Sequence, residues 1–133
     1  MEIRIYYEDT DCGGVVYYAN YLKYFERART DYLEQRGLSV PGFLKEGTQF
    51  MVVRAEVNYK TPARLGDILT VETTIDTSKN ASVTFSHVIK EKTSGRVIVE
   101  GSATLVTTTL DGKLKRLDES LVKRLQSRTK GAP

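Results

Sequence analysis

Hydrophobic and polar residues follow two regular spacings along the chain. Residues 2–8 alternate between apolar and polar, and a period of two predicts a strand. Over residues 20–36 apolar residues recur at steps of three and four, which predicts a helix of about five turns. Its apolar positions are Tyr21, Leu22, Phe25, Ala28, Tyr32 and Leu33. Asn20 is the predicted N-cap and Gly37 the predicted residue just past the helix.

From residue 49 onward, alternation returns and predicts four strands joined by short turns. In the first of them, one face is expected to carry Met51, Val53, Ala55, Val57 and Tyr59, while Phe50 and Val52 point outward. The other three strands have predicted inner faces of Leu69, Val71, Thr73 and Ile75, then Val83, Phe85, His87 and Ile89, then Val97, Val99, Gly101, Ala103 and Leu105. Short helices are expected over 41–46 and after Asp118.

This order, β-α-β-β-β-β, predicts an α+β fold. Strands joined by such short turns are antiparallel neighbours, and the long helix packs on the concave face of a curled five-stranded sheet. A single helix covers only one face, so we expect a second copy of the chain to cover an edge or a face, as a homodimer or homotetramer. The whole chain, 1–133, is predicted to form one domain that ends in a basic helix and tail at 113–133.

Composition narrows the function classes. Apolar residues make up 40% and charged residues 28% of the 133 residues, which is typical of a folded soluble protein. There is no apolar run long enough to insert stably in a membrane and no apolar leader. With one cysteine the chain cannot form an intrachain disulfide, and one cysteine with one histidine are too few ligands for a Cys/His zinc site. We therefore expect a cytoplasmic protein without a metal. The net charge of +3 arises in the tail, and no nucleic-acid partner is expected.

The densest candidate chemistry lies between the first strand and the long helix, over residues 7–21. Unpaired amides at a helix start can hold a developing oxyanion, and a carboxylate upstream can act as base or nucleophile in acyl transfer. The alternative is that Asp9 and Asp11 only cap turns while the glycines bend the chain. Cys12 has no nearby base in the sequence, and the spacing of His87 predicts a partly buried or edge histidine rather than an acid–base group.

The residues in this segment resemble those of the 4-hydroxybenzoyl-CoA thioesterase family, and its YbgC-type acyl-CoA thioesterase branch in particular. The shared motifs are Asp9-Thr10-Asp11-x-x-Gly14-Val15-Val16-Tyr17-Tyr18-x-Asn20-Tyr21, Phe25-Glu26-x-Ala28-Arg29 and Tyr59-Lys60-x-Pro62-Ala63-Arg64-x-Gly66-Asp67. The resemblance implies the hotdog fold, whose order of elements is the one predicted above. It also implies hydrolysis of an acyl-CoA, fatty or aromatic, or of an acyl carrier protein thioester.

Carried onto this chain, the resemblance makes Asp11 the catalytic carboxylate, as general base or as nucleophile. The backbone N–H of Tyr18 would polarise the thioester carbonyl. Many YbgC-type members have histidine at that position, so only the backbone role carries over to Tyr18. Tyr7 would line the same site, and Gly14 and Asn20 complete the substrate-binding motif.

Coenzyme A ends in a phosphorylated nucleotide, so a basic rim is expected near the site. Lys79 and Asn80 are the first candidates, followed by Arg64 and Lys60; the alternative is that all four are solvated loop residues. No cofactor is expected, because coenzyme A belongs to the substrate. Two other functions stay open: a non-catalytic module in an envelope-associated assembly that binds acyl-CoA or acyl carrier protein, and a hydratase or dehydratase, which usually needs a histidine that this segment lacks.

Overall fold

One five-stranded antiparallel sheet packs against one long helix. The computed structural model describes residues 1–127, apart from the side chain of Lys79. The elements are β1 (Glu2–Arg4), a 3-10 turn (Tyr7–Asp9), α1 (Asn20–Glu34), α2 (Val40–Lys45), β2 (Gln49–Tyr59), β3 (Ile68–Lys79), β4 (Ser82–Glu91), β5 (Val97–Thr108) and α3 (Glu119–Gln126). The strands lie in the order β1-β3-β4-β5-β2, which confirms the predicted α+β architecture. Residues 128–133 of the predicted tail lie outside the described residues.

The apolar stripe of α1 packs on the sheet as its spacing predicts. Tyr21, Tyr24, Phe25, Ala28, Tyr32 and Leu33 are buried, whereas Leu22, which the spacing also included, is 46% exposed. The facing side chains come from alternate positions of β3, β4 and β5, among them Leu69, Phe85, Ile89 and Val99. This burial of apolar surface on one side of the sheet is the main favourable contribution to folding.

Gly101 lets β5 approach the helix closely. A Cβ atom at this position would lie 2.5 Å from the backbone oxygen of Glu56 and 2.6 Å from Cε2 of Phe25. Both are closer than carbon and oxygen atoms pack, so the strand or the ring would have to move. The sequence placed Gly101 on the inner face, and the structure shows why no side chain is present there.

Gly101→Ala is therefore expected to lower the free energy of unfolding by about 2–3 kcal/mol through overpacking. Urea unfolding followed by circular dichroism measures this. Ser102→Ala, one residue along on the opposite face, is the matched control and should change stability by less than about 0.5 kcal/mol. Equal stabilities for the two variants would contradict the close approach.

β1 is shorter than the predicted strand over 2–8. The chain leaves the sheet after Ile5, whose amide donates to the carbonyl of Asp67 at 2.9 Å. The carboxylate of Asp9 then accepts a hydrogen bond from the amide of Tyr6 at 2.9 Å, and the backbone turns into the 3-10 segment. The alternation of residues 6–8 was misleading because a side chain captures the backbone donor that a strand would have used.

β2 contains a bulge, so its predicted inner face is right for Ala55, Val57 and Tyr59 and wrong for the residues before the bulge. The pairing with β5 runs from Val52↔Leu105 to Arg54↔Thr104, so Val53 is an extra residue. A one-residue insertion moves every following side chain to the other face. The prediction that Phe50 and Val52 point outward is therefore wrong: they lie on the same face as Ala55, Val57 and Tyr59, towards the helix.

The start of α1 also differs from the prediction. Asn20 is the first helical residue, and Ala19, which has no side chain able to cap, is the N-cap. The predictions for Gly37, which has a φ of +73°, and for Asp118 as N-cap of α3 are confirmed. The helix predicted over 41–46 is α2. Within residues 1–127, no helix has the length and apolar character required to span a membrane.

His87 is buried in the core, deeper than the partly buried or edge position predicted from its spacing on β4. It is 1% exposed and stacks on Phe25 with ring centroids 4.5 Å apart. Its Nδ1 lies 3.1 Å from Oγ1 of Thr73, and its Nε2 has no hydrogen-bond partner among the described residues. Burial, with a contribution from the positive charge of Arg29, lowers the pKa of His87 to about 3.

This histidine should make stability depend on pH. The unfolded chain binds a proton near pH 6.5 and the folded chain near pH 3, so stability is complete above pH 6.5 and falls as the pH drops between these values. The expected slope is about 1.4 kcal/mol per pH unit. Urea unfolding of wild type and His87→Phe from pH 7 to pH 5 measures it. An unchanged slope in the variant would mean that other groups cause the acid sensitivity.

Candidate active site

The segment between β1 and α1 forms a short ribbon that turns at the two glycines. Thr10 pairs with Val16, and the amide of Asp11 donates to the carbonyl of Val15 at 2.9 Å. Gly14 has a φ of +76°, which favours glycine, and its amide donates to the carbonyl of Asp11 at 3.1 Å. The ribbon holds Asp11 at the tip, exposed to solvent in the single chain.

The carboxylate of Asp11 is oriented by one of its two oxygens. Oδ1 accepts a hydrogen bond from the amide of Gly13 at 2.8 Å. Oδ2 accepts no hydrogen bond from residues 1–127. The turn-capping role considered from the sequence is thus present, and it leaves the second oxygen free to act on a ligand.

A second anchor ties the ribbon to the start of α1. The carbonyl of Asp9 accepts hydrogen bonds from the amide of Tyr17 at 3.0 Å and from Nδ2 of Asn20 at 2.9 Å. Asn20, predicted as an N-cap and a substrate-binding residue, uses its amide to hold this junction. The helix start therefore has a fixed position relative to the ribbon.

The amides at the start of α1 are free donors. Within residues 1–127, neither the N–H of Tyr18 nor that of Ala19 donates to a protein acceptor. The hydroxyl of Tyr59 donates to the carbonyl of Tyr18 at 3.3 Å and so holds the next peptide group, which carries the Ala19 N–H. Free amides at the positive end of a helix stabilise negative charge, so this position suits an oxyanion.

Tyrosine rings surround this helix start. Tyr18 lies 4.8 Å from Tyr17 and 6.4 Å from Tyr59, measured between ring centroids, and Tyr59 lies 5.7 Å from Tyr21. The ring of Tyr7 is 82% exposed. The rings of Tyr17, Tyr18 and Tyr59 thus form an aromatic surface beside the free amides, whereas no ring contact within residues 1–127 joins Tyr7 to them.

The loop after β2 packs against the glycine turn. The amide of Leu65 donates to the carbonyl of Gly14 at 3.2 Å, and Val15 pairs with Arg64. Arg96 fixes this loop through Nη1, which donates to Oγ1 of Thr61 at 2.8 Å and to the carbonyl of Pro62 at 2.9 Å. The role of Arg96 was not predicted, because its partners are more than thirty residues away along the chain.

Two of the four predicted coenzyme A contacts lie near the candidate site. Arg64 borders the glycine turn and Lys60 follows Tyr59 directly. Asn80 lies at the far end of β3, where its Oδ1 accepts a hydrogen bond from Arg116 at 3.0 Å. The side chain of Lys79 lies outside the described residues, but its backbone pairs with Ser82 at that same far end. One chain does not bring Lys79 and Asn80 to Asp11.

Neither of the two large cavities touches Asp11 or Tyr18. A cavity of about 310 Å³ lies between α1, α2 and β2, and its walls include Arg29, Phe43 and Phe50. A second cavity, of about 340 Å³, lies between α2 and the start of α3. In a single chain Asp11 and the largely apolar first cavity are thus separate.

Comparisons with known proteins identify relatives of the chain. A model of the thioesterase superfamily matches residues 13–98. The acyl-CoA thioester hydrolase YbgC of Escherichia coli O6:H1 is 42% identical over 85 residues, which are 64% of this chain and 63% of that protein. The acyl-CoA thioesterase YbgC of Haemophilus influenzae is 39% identical over 115 residues, 85% of this chain and 82% of that one.

A solved structure extends the likeness to the whole fold. The DHNA-CoA thioesterase of Staphylococcus aureus superposes with a TM-score of 0.86 at 30% identity, covering 92% of this chain and 83% of that chain. The match to the Escherichia coli relative spans less than two thirds of its length.

Proposed function

The chain belongs to the thioesterase superfamily, as its motifs predicted, and from this premise we propose that it hydrolyses acyl-CoA thioesters to a free acid and coenzyme A. The observation that carries the proposal is the junction of the ribbon and α1. The ribbon carries a carboxylate with a free oxygen, Asp11, and leads into a helix start whose Tyr18 amide is unpaired among the described residues. Relatives named acyl-CoA thioesterases support the choice of a thioester over other acyl compounds.

Asp11 can act in two ways at this junction. As a general base it takes a proton from water while the oxygen of that water attacks the thioester carbon. As a nucleophile it attacks the carbon itself, and water then hydrolyses the mixed anhydride. In both routes the carbon–sulfur bond breaks, the thiolate of coenzyme A takes up a proton, and the N–H of Tyr18 stabilises the oxyanion.

We further propose that two copies of the chain complete the site through β2. This strand is an edge of the sheet, and Met51, Val52 and Val53 on it are 47–60% exposed. An exposed apolar edge strand is a ready site for pairing with a second strand. Antiparallel pairing of two β2 strands over their full length would place Tyr59 of one copy beside Gln49 of the other.

Such a dimer would join the parts that one chain separates. Gln49 lines the apolar cavity, so the cavity of the second copy would lie next to Tyr59 and the Tyr18 amide of the first. The far end of β3, with Lys79 and Asn80, would also come from the second copy. Coenzyme A would then meet Arg64 and Lys60 from one copy and these residues from the other.

Val53→Lys is expected to prevent this pairing, because a charge on an edge strand opposes addition of a second strand. We expect wild type to sediment at twice the mass of the chain, and the variant to sediment as a monomer with little thioesterase activity. Thr74→Lys adds the same charge on an exposed position of β3 and should leave both properties unchanged. A monomeric wild type with full activity would refute the shared site.

The function itself is tested by release of free thiol from acetyl-, octanoyl-, palmitoyl- and benzoyl-CoA, and from an acyl carrier protein thioester. Turnover of at least one of them without added metal is expected. Saturable binding of these thioesters without thiol release would refute the proposal and favour the non-catalytic binding module.

A further inference from the structure

Arg29 occupies a position where the pattern of α1 calls for an apolar residue. It lies four residues after Phe25 and four before Leu33, which are 0% and 5% exposed. Residues at this spacing share one face of a helix, here the face that packs on the sheet. A local break in the pattern of a core-facing stripe is a sign of function, because a leucine would have satisfied packing alone.

The side chain of Arg29 lines the cavity of about 310 Å³ between α1, α2 and β2. The other walls are largely apolar and include Phe43, Phe50, Phe85 and Leu105. A volume near 300 Å³ is at the lower end of the range for small-molecule sites. The cavity is thus largely apolar, with the guanidinium of Arg29 and the carboxylate of Glu26 both in its wall.

The guanidinium of Arg29 is not neutralised within the chain. Among residues 1–127 it forms no ion pair and no hydrogen bond, while Arg36 and Arg124 on neighbouring elements each have acceptors. Burial lowers the pKa of Arg29, and only the nearby charge of Glu26 acts in the opposite direction. A half-buried guanidinium keeps part of its charge away from water, so an anionic partner in the cavity would stabilise it through charged hydrogen bonds.

We propose that Arg29 selects acyl groups that carry a carboxylate at the end remote from the thioester. The apolar walls would take the methylene chain, and the guanidinium would pair with the terminal carboxylate in its preferred two-pronged geometry. This inference rests on the proposed function, since it takes the cavity as the acyl pocket. It adds the substrate class: monothioesters of dicarboxylic acids.

The placement of Arg29 along the helix agrees with this assignment. Arg29 lies eleven residues after Tyr18, about 16 Å along α1, so it is remote from the reacting carbonyl in its own chain. Across a β2 dimer the cavity of the second copy would lie next to that carbonyl. The proposal therefore takes the Arg29 of the second copy to meet the end of the acyl group remote from the thioester, where it acts on specificity rather than on the chemical step.

The experiment compares octanoyl-CoA with suberoyl-CoA, the monothioester of octanedioic acid, which has the same chain length and a terminal carboxylate. Arg29→Met should lower kcat/KM for suberoyl-CoA by about 10- to 100-fold, through KM, and leave octanoyl-CoA within about threefold. Arg29→Lys should retain part of the preference. Arg27→Met, the same change on an exposed position of α1, is the matched control and should leave the ratio of the two substrates unchanged.

Glu26 provides a second test, because removing its negative charge should change the substrate preference in the opposite direction from removing the positive charge of Arg29. It lines the same cavity, so Glu26→Gln should raise the preference for suberoyl-CoA. If Arg29→Met leaves the ratio unchanged, the inference is wrong. If the variant instead weakens the dimer without changing the ratio, the acceptor is a carboxylate of the second copy, which also overturns it.

Binding of the non-hydrolysable thioether analogues of both compounds separates this inference from the proposed function. If binding discriminates between the analogues through Arg29 but no thioester releases thiol, hydrolysis is refuted and the ligand assignment stands. If thiol is released without such discrimination, hydrolysis stands and the ligand assignment is refuted.

Discussion

Asp11→Asn is expected to lower kcat for acyl-CoA hydrolysis by about 10²- to 10⁴-fold while KM changes little. Asparagine keeps the shape of the side chain, and its Oδ1 can still accept the hydrogen bond from the amide of Gly13 that orients this turn. What it loses is the negative charge and basicity of the second oxygen. The fold should therefore persist while the reaction slows, whether Asp11 acts as base or as nucleophile.

The matched control is Asp9→Asn, the same change two residues earlier in the same ribbon. Asp9 uses its carboxylate to accept the amide of Tyr6, which an asparagine oxygen can also do, so activity should stay within about threefold. Rates of thiol release that are equal for wild type and Asp11→Asn would end the assignment of Asp11. Equal losses in both variants would point to the conformation of the ribbon instead.

Tyr18→Pro is expected to lower kcat by about 10²- to 10³-fold, the usual effect of removing one oxyanion donor. Proline lacks the N–H, and position 18 lies just before the N-cap Ala19, outside the helix, so α1 can still form. Tyr18→Phe retains the amide and the ring and should keep activity within about threefold. The pair therefore separates the backbone group from the hydroxyl.

Circular dichroism and urea unfolding show whether the proline variant keeps its helix. A folded Tyr18→Pro protein with the rate of wild type would exclude this amide as the oxyanion donor. A loss in Tyr18→Phe as large as that in Tyr18→Pro would transfer the role to the phenol. That outcome would indicate that the phenol of Tyr18 acts at the position where many YbgC-type members have a histidine.

Local patterns predicted most of the fold because most of its elements are locally consistent. The stripe of α1 and the alternation of β4 each match one period over many residues, and Gly37 and Asp118 mark helix ends by their own chemistry. The faces of β2 were mispredicted because residues 50–53 are all apolar. Such a run fits either face, and only the pairing with β5 decides which residue is extra.

The candidate site was predictable in its sequence motif but not in its surroundings. Asp11, Gly14 and Tyr18 lie in one continuous segment, so its turn and helix start follow from local chemistry. The cavity combines side chains of α1, α2 and three strands, and no local spacing describes it. One signal was available: Arg29 stands at the spacing of Phe25 and Leu33, where a charge contradicts the stripe.

The extra residue in β2 has a consequence for how this protein can tolerate length changes. Deleting Val53 would make Val52 and Arg54 direct neighbours, opposite Leu105 and Thr104 as they already are, and strict alternation would return. Ala55 and Val57 would stay on the helix side of the sheet, and Tyr59 would keep its hydrogen bond to the carbonyl of Tyr18. A single codon lost at this point would thus be absorbed by the bulge and would leave the tyrosine support of the helix start in place.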